Sequence, residues 1–187
     1  MSETIHAEFL AHIKVAEKTM ERCSVELAQA ADLCFDALKA GRKILLMGNG
    51  GSAADALHLA AEFTGRYQTQ RVGLPAIALT SDAAALTSIG NDFGFDMVFS
   101  RQIEALARKG DVCIGLSTSG HSANVIRGLE RARMKGCKTI GFSGRDGGTM
   151  PEFSDLCLIV PSDITSRIQE MHLLMGHTLV HLVESRW

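Results

Sequence analysis

The chain has 187 residues, with 19 Lys and Arg against 21 Asp and Glu for a formal net charge of −2. That length favours one domain at roughly 100–200 residues each, and the near-balance of charge gives no electrostatic ground for a nucleic-acid or membrane-surface partner. A hydrophobic share of 46% beside 21% charged residues is the composition of a folded globule, and no apolar run reaches the ~18 residues of a membrane helix.

Residues 4–40 read as two helices. Apolar residues recur at helical spacing through Ile5, Phe9, Ile13 and Met20, then through Leu27, Ala31, Cys34 and Leu38, and Gly41 is placed to end the second helix. The N-terminus is charged and amphipathic, without the apolar core of a signal peptide, so a cytoplasmic location is expected. From residue 43 the pattern changes to short apolar strands at 43–47, 76–79, 111–116, 139–142 and 156–160. Helical segments at 53–66, 83–89, 98–108 and 123–135 lie between them, and a last helix covers 166–184. Nearly all-apolar strands alternating with helices predict a parallel sheet covered on both faces. Right-handed crossovers make it an α/β three-layer sandwich with five parallel strands. The five cysteines contain no C-x-x-C pair, and those beside strands read as buried, reduced thiols.

In such a sheet ligands bind beyond the carboxyl ends of the strands, and the two richest loops fall there. Gly48-Asn49-Gly50-Gly51-Ser52 closes the first strand and opens a helix, with Ser52 suited to cap it. Gly48-x-Gly50-x-x-Ala53 also fits a dinucleotide fingerprint, but the acidic residue required at the tip of the next strand is missing. No G-x-x-x-x-G-K-[ST] occurs, which excludes a Walker A loop. Ser117-Thr118-Ser119-Gly120-His121-Ser122 follows the strand at 111–116. Its four hydroxyls, with free N–H groups at a helix start, suit a monophosphate without requiring Lys or Arg. A serine-rich turn with a cap would account for two of those hydroxyls.

His58 and Glu62, four apart, project from one helical face about 40° apart. Gln169 and His177, eight apart on the last helix, fall within about 80° of each other and are separated by ~12 Å along its axis. A His/Glu pair at this spacing is a metal half-site or a solvated face, and spacing alone does not establish a metal. Asn91-Asp92-Phe93-Gly94-Phe95 reads equally as a capped helix break or as a ligand contact, and Gly144-Arg145-Asp146-Gly147-Gly148 reads as a turn.

Taken together and in order, these runs resemble one family. Gly48-Asn49-Gly50-Gly51-Ser52-Ala53-Ala54-Asp55, His58-x-x-x-Glu62-x-Thr64-Gly65-Arg66, Asn91-Asp92-Phe93-Gly94-Phe95, Ser117-Thr118-Ser119-Gly120-x-Ser122-Ala123-Asn124 and Arg167-Ile168-Gln169-Glu170-x-His172, with His177 downstream, look like the sugar-isomerase (SIS) domain of phosphoheptose isomerases. The likeness spans nearly the whole chain. It implies one SIS domain of flavodoxin-like fold over 1–187, with the helical pair at 1–40 used for oligomerisation. The implied reaction converts D-sedoheptulose 7-phosphate to D-glycero-D-manno-heptose 7-phosphate through an enediol, for bacterial lipopolysaccharide or capsule.

By the same resemblance, Glu62 and His177 match the acid/base residues, and His58, Glu62, Gln169 and His177 match the ligands of one zinc ion per subunit. Asn49, Gly50, Gly51, Ser52, Glu62, Arg66, Asn91, Asp92, Ser117, Thr118, Ser119, Ser122 and Gln169 match substrate contacts. The implied assembly is a homotetramer with interfacial active sites. The sequence departs from the family at His121, where many members have Asn, and at Ser166, where some have Asp. A competing reading is a non-catalytic SIS-domain module that binds a replication initiator; it lacks counterparts of Glu62 and His177. A third is a sugar-phosphate sensor or an isomerase of another ketose phosphate.

Overall fold

The computed structural model describes residues 2–187. Helix α1 runs unbroken over Ser2–Lys39, 38 residues, about 57 Å at 1.5 Å per residue. This corrects the expected helical pair. No glycine or proline interrupts residues 2–39, so the shift in apolar phase near residue 20 marks a change of neighbour and not a break. Cys23, Ala30, Ala31, Cys34 and Leu38 are buried, while Ile5, Phe9, Ile13 and Met20 face outward. The helix ends as expected at Gly41, whose φ of +71° allows Arg42 N–H to donate back to the Ala37 carbonyl at 2.9 Å.

The strands β1 (Ile44–Gly48), β2 (Ala76–Ala78), β3 (Val112–Leu116), β4 (Lys138–Gly144) and β5 (Leu156–Val160) form one parallel sheet in the order β2-β1-β3-β4-β5. Between them lie α2 (Gly51–Thr64), α3 (Ala83–Phe93), α4 (Val98–Leu106) and α5 (Ala123–Met134), and α6 (Thr165–Glu184) closes the chain. Successive residues of β1 alternate between the two faces. Ile44 and Leu46 join the core beneath α1, α2 and α6, whereas Leu45 and Met47 join the core beneath α4 and α5. Strand order reverses between β1 and β3, so the chain leaves those two strands in opposite directions. The crevice opens between the loops at 48–52 and 117–122.

All five cysteines are free thiols, and burial pushes Cys34 up to about 12. Among the described residues no helix is long and apolar enough to cross a membrane.

His172, on α6, is fully buried. Its Nε2–H donates to the Ser143 carbonyl at 3.0 Å, its ring meets Phe142 edge-on, and Nδ1 has no partner. Burial lowers its pKa to about 4 against the opposing pull of the Ser143 bond, so the folded protein holds it neutral at neutral pH. A folded pKa below the unfolded value of 6.5 means that this contribution to stability is intact above 6.5. It is lost as pH falls towards 4, because the unfolded chain binds the proton more readily. Denaturant titrations at pH 7 and 4.5 are expected to show a loss of roughly 2–3 kcal/mol from this group. His172→Gln keeps an N–H donor without the titration, and its loss over the same interval is expected to be smaller. An equal loss in both proteins would remove His172 as the cause.

Candidate active site

The loop after β1 turns at Gly50, whose φ of +55° suits a residue without Cβ. Gly50 occupies the N-cap position of α2 and no side chain caps the helix. Ser52 therefore does not act as the expected cap; it lies inside the first turn and is buried. The Gly50 carbonyl accepts from Ala53 and Ala54. A Cβ on Gly51 would run into the amide of Gln169, so the α2 start and the α6 side chain meet closely only because residue 51 is glycine. Asn49 and Asn124 exchange two side-chain hydrogen bonds, each 2.8 Å. The buried Asn124 also accepts from Val125 N–H at 2.9 Å. This pair ties the loop after β1 to the start of α5 across the crevice.

The loop at 117–122 is held from below. Ser117 and Ser122 hydroxyls bond each other at 2.8 Å, and Ser119 Oγ accepts from His121 N–H at 3.2 Å. Ser122 stands at the N-cap of α5 without a side-chain capping bond. Gly120 has φ +66° and packs directly on the Gly147 carbonyl, where a Cβ would collide, and its own carbonyl accepts from Thr149 N–H at 3.1 Å. The Gly144–Gly148 turn therefore braces the hydroxyl loop. Ser117 is buried, Thr118 and Ser119 are half-buried, and His121 is exposed.

Helix α2 brings His58 and Glu62 to one face, with His58 Nε2 3.4 Å from Glu62 Oε1. Helix α6 places His177 opposite, its Nε2 2.8 Å from His58 Nε2. One ligand atom from each of the three lies within 4.8 Å of the other two. Two imidazole nitrogens at 2.8 Å share at most one proton, so at least one presents a lone pair. Asp55, one turn earlier on α2, has a buried Oδ2 without a partner; burial raises its pKa and His58 opposes the rise.

The structure thus brings together His58, Glu62 and His177, and sets Gln169 beside Gly51. It leaves other sequence candidates outside that cluster. Helix α3 continues to Phe93, four residues past the expected end, so Asn91 and Asp92 lie on its last turn and bond each other at 2.8 Å. Arg66 is exposed beyond the end of α2, and Ser166 is exposed on the first turn of α6. Tyr67, Arg71 and Glu184 belong to none of the sequence motifs, yet Tyr67 stacks on His177 with centroids 5.2 Å apart and planes at 21°. The legible signal was Glu184's place seven residues after His177, two turns along one face of α6.

A parallel sheet of this order, with a hydroxyl loop and a glycine loop facing each other across its switch point, defines a protein of the SIS-domain class. Residues 8–144 match the family model described as SIS domain. Within that class the chain belongs to the phosphoheptose isomerase family. It is 57% identical to the phosphoheptose isomerase of Aliarcobacter butzleri, covering 99% of this chain and 98% of that one. It is 52% identical to that of Helicobacter pylori strain P12, over 98% and 96%. The structure of the Neisseria gonorrhoeae phosphoheptose isomerase superposes with a TM-score of 0.94 at 44% identity over 98% of both chains. That from Francisella tularensis does so at 0.94 with 34% identity, over 98% and 97%.

Proposed function

We propose that this isomerase interconverts D-sedoheptulose 7-phosphate and D-glycero-D-manno-heptose 7-phosphate in the cytoplasm, to supply heptose for bacterial lipopolysaccharide or capsule. The observation that carries the site is the convergence of His58, Glu62 and His177 from the two helices α2 and α6. Residues 1–187 act as one unit, with α1 serving assembly into a homotetramer.

The reaction moves a proton between C1 and C2 through an enediol, with no net redox change. Glu62 takes the proton from one carbon and returns it to the other. His177 exchanges a proton with the hydroxyl and carbonyl oxygens, so that neither carries a full negative charge. Ser117, Thr118, Ser119 and Ser122 hold the phosphate with their hydroxyls and the N–H groups at the start of α5. Asn49, Gly50, Gly51, Ser52, Arg66, Asn91, Asp92 and Gln169 orient the sugar.

The donor set fits a zinc ion. Two imidazole nitrogens and a carboxylate oxygen in mutual reach are ligands that zinc takes in catalytic sites, and a cation could take the place of the proton that the close nitrogen pair shares. His58, Glu62 and His177 would hold it, with Gln169 as the fourth ligand. When bound, the ion would polarise the oxygens at C1 and C2.

The presence of Glu62 and His177 in one cluster disfavours the initiator-binding reading. The test is an NMR time course with sedoheptulose 7-phosphate in D₂O, run with and without a chelator. An aldoheptose 7-phosphate carrying deuterium at C2 is expected, slowed by the chelator and restored by zinc. Absence of aldose even with zinc would overturn the substrate assignment, and indifference to the chelator would remove the metal.

A further inference from the structure

We infer that Tyr67 is a positioning residue for this centre, clamped over the His177 imidazole by the Arg71–Glu184 ion pair; the inference rests on the role proposed for His177. The segment that leaves α2 does not wander to β2 but folds onto the end of α6. There the Glu184 carboxylate accepts from the N–H groups of Tyr67 at 2.9 Å, Gln68 at 2.8 Å and Thr69, and from Arg71 Nε at 3.1 Å. Both side chains of the pair are buried, Glu184 at 1% and Arg71 at 5% exposure. Arg71 then grips the end of α2. Its Nη1 donates to the carbonyls of Phe63 at 2.8 Å and Val72 at 3.0 Å, and its Nη2 to that of Glu62 at 2.8 Å. The guanidinium thereby satisfies the helix-end carbonyl of Glu62 and shares that of Phe63 with Leu74 N–H.

This knot joins the two helices that supply the centre, independently of the sheet. Its carboxylate comes from the face of α6 that carries His177, and its guanidinium is bonded to the backbone of Glu62 itself. Burial alone would raise the Glu184 pKa; the three N–H bonds and Arg71 outweigh it and hold the group at about 2, so the clamp stays charged through the neutral range.

Tyr67, whose N–H is fixed by Glu184, lays its ring on His177 and presents it edge-on to His181 at 6.2 Å and 68°. The imidazole needs such a neighbour, because χ2 of histidine is a broad, weakly preferred torsion. Rotation of the ring would carry Nε2 away from its position 2.8 Å from His58. Stacking limits that rotation without consuming either ring nitrogen.

The experiment compares wild type, Tyr67→Phe, Tyr67→Ala, Tyr67→Leu and His177→Asn in kcat, KM, melting temperature and zinc affinity, the last by competition with a chromophoric chelator. Tyr67→Phe keeps the stack and is expected within about twofold of wild type throughout. The alanine and leucine variants are expected to lose kcat by about tenfold or more, as a small displacement of a reacting group does. Their KM should stay within about threefold and their zinc affinity fall by about fivefold or more. The leucine variant keeps apolar cover, so it reports on positioning if the alanine variant does not fold. Wild-type kcat and zinc affinity in a folded alanine or leucine variant, with His177→Asn inactive, would overturn the inference alone. So would a phenylalanine variant as impaired as alanine, which would make the hydroxyl the actor. An active His177→Asn would overturn the reading of the site beneath it.

Discussion

Glu62→Gln is expected to lower kcat by about 10³-fold, within the range attributed to a positioned general base, while sugar-phosphate binding persists. The substitution leaves the fold of α2 in place, and because Glu62 is also a proposed zinc ligand, both proteins are assayed with zinc in excess and their zinc content is compared. The Glu62 backbone is fixed by α2 and by the Arg71 guanidinium on its carbonyl, and the carboxylate makes its close approach to His58 at 3.4 Å at a site open enough to leave the side chain 22% exposed. A glutamine fills the same volume and keeps an acceptor oxygen, but it cannot take a proton from carbon. The phosphate site proposed above is the hydroxyl loop, whose hydrogen bonds do not involve Glu62. Isothermal titration with sedoheptulose 7-phosphate should therefore give an affinity close to wild type beside the collapsed kcat. Retention of more than about a tenth of wild-type turnover would be too much for loss of the proton-moving group and would move the base elsewhere. Loss of binding along with turnover would make Glu62 a ligand contact first.

What the sequence made legible was local. His58 and Glu62 lie four apart on one helix, and the serine loop lies directly after an apolar strand, so period and punctuation alone place the pair on one helical face and the loop at the carboxyl end of a parallel sheet. The strands at 44–48 and 156–160 fall within a residue of their expected limits. Boundaries governed by competing signals came out differently. Asn91 and Asp92 look like a helix break, but the glycine able to end α3 is Gly94, at φ +88°, and the helix runs on to it. Ser52 looks like a cap, but the left-handed turn at Gly50 sets the helix start two residues earlier. Glu184 reaches Tyr67 across 117 positions of sequence, and no periodicity in either segment encodes that meeting. The same holds for Asn49 with Asn124, paired across 75 positions: each is an ordinary polar residue until the crevice brings them together.

The assembly proposed for this chain rests on the N-terminal half of α1. Phe9 is 69% exposed and Ile13 49%, and with Ile5 and Met20 they line one flank of a helix whose C-terminal half is the part buried in this chain's own core. A groove of about 460 Å³ runs between α1 and α6, lined by Ile13, Ala16, Met20, Leu27, Leu174 and Met175. Exposed apolar surface of this continuity marks an interaction site, and the expected occupant is a second copy of the chain. The groove also takes in Thr178, the residue after His177, so a copy seated there packs on the helix that supplies the centre. Phe9→Glu with Ile13→Glu is expected to cost the isolated fold little, since exposed positions rarely contribute more than about 0.5 kcal/mol. Two carboxylates that replace apolar side chains in an interface would be desolvated, however, and each desolvated charge costs several kcal/mol. Light scattering after gel filtration should show wild type at the mass of four chains and the double variant at one or two, with kcat reduced by about tenfold or more through loss of positioning. A double variant that stays tetrameric would put the interface elsewhere. One that dissociates yet turns over normally would show that assembly buries α1 without completing the site.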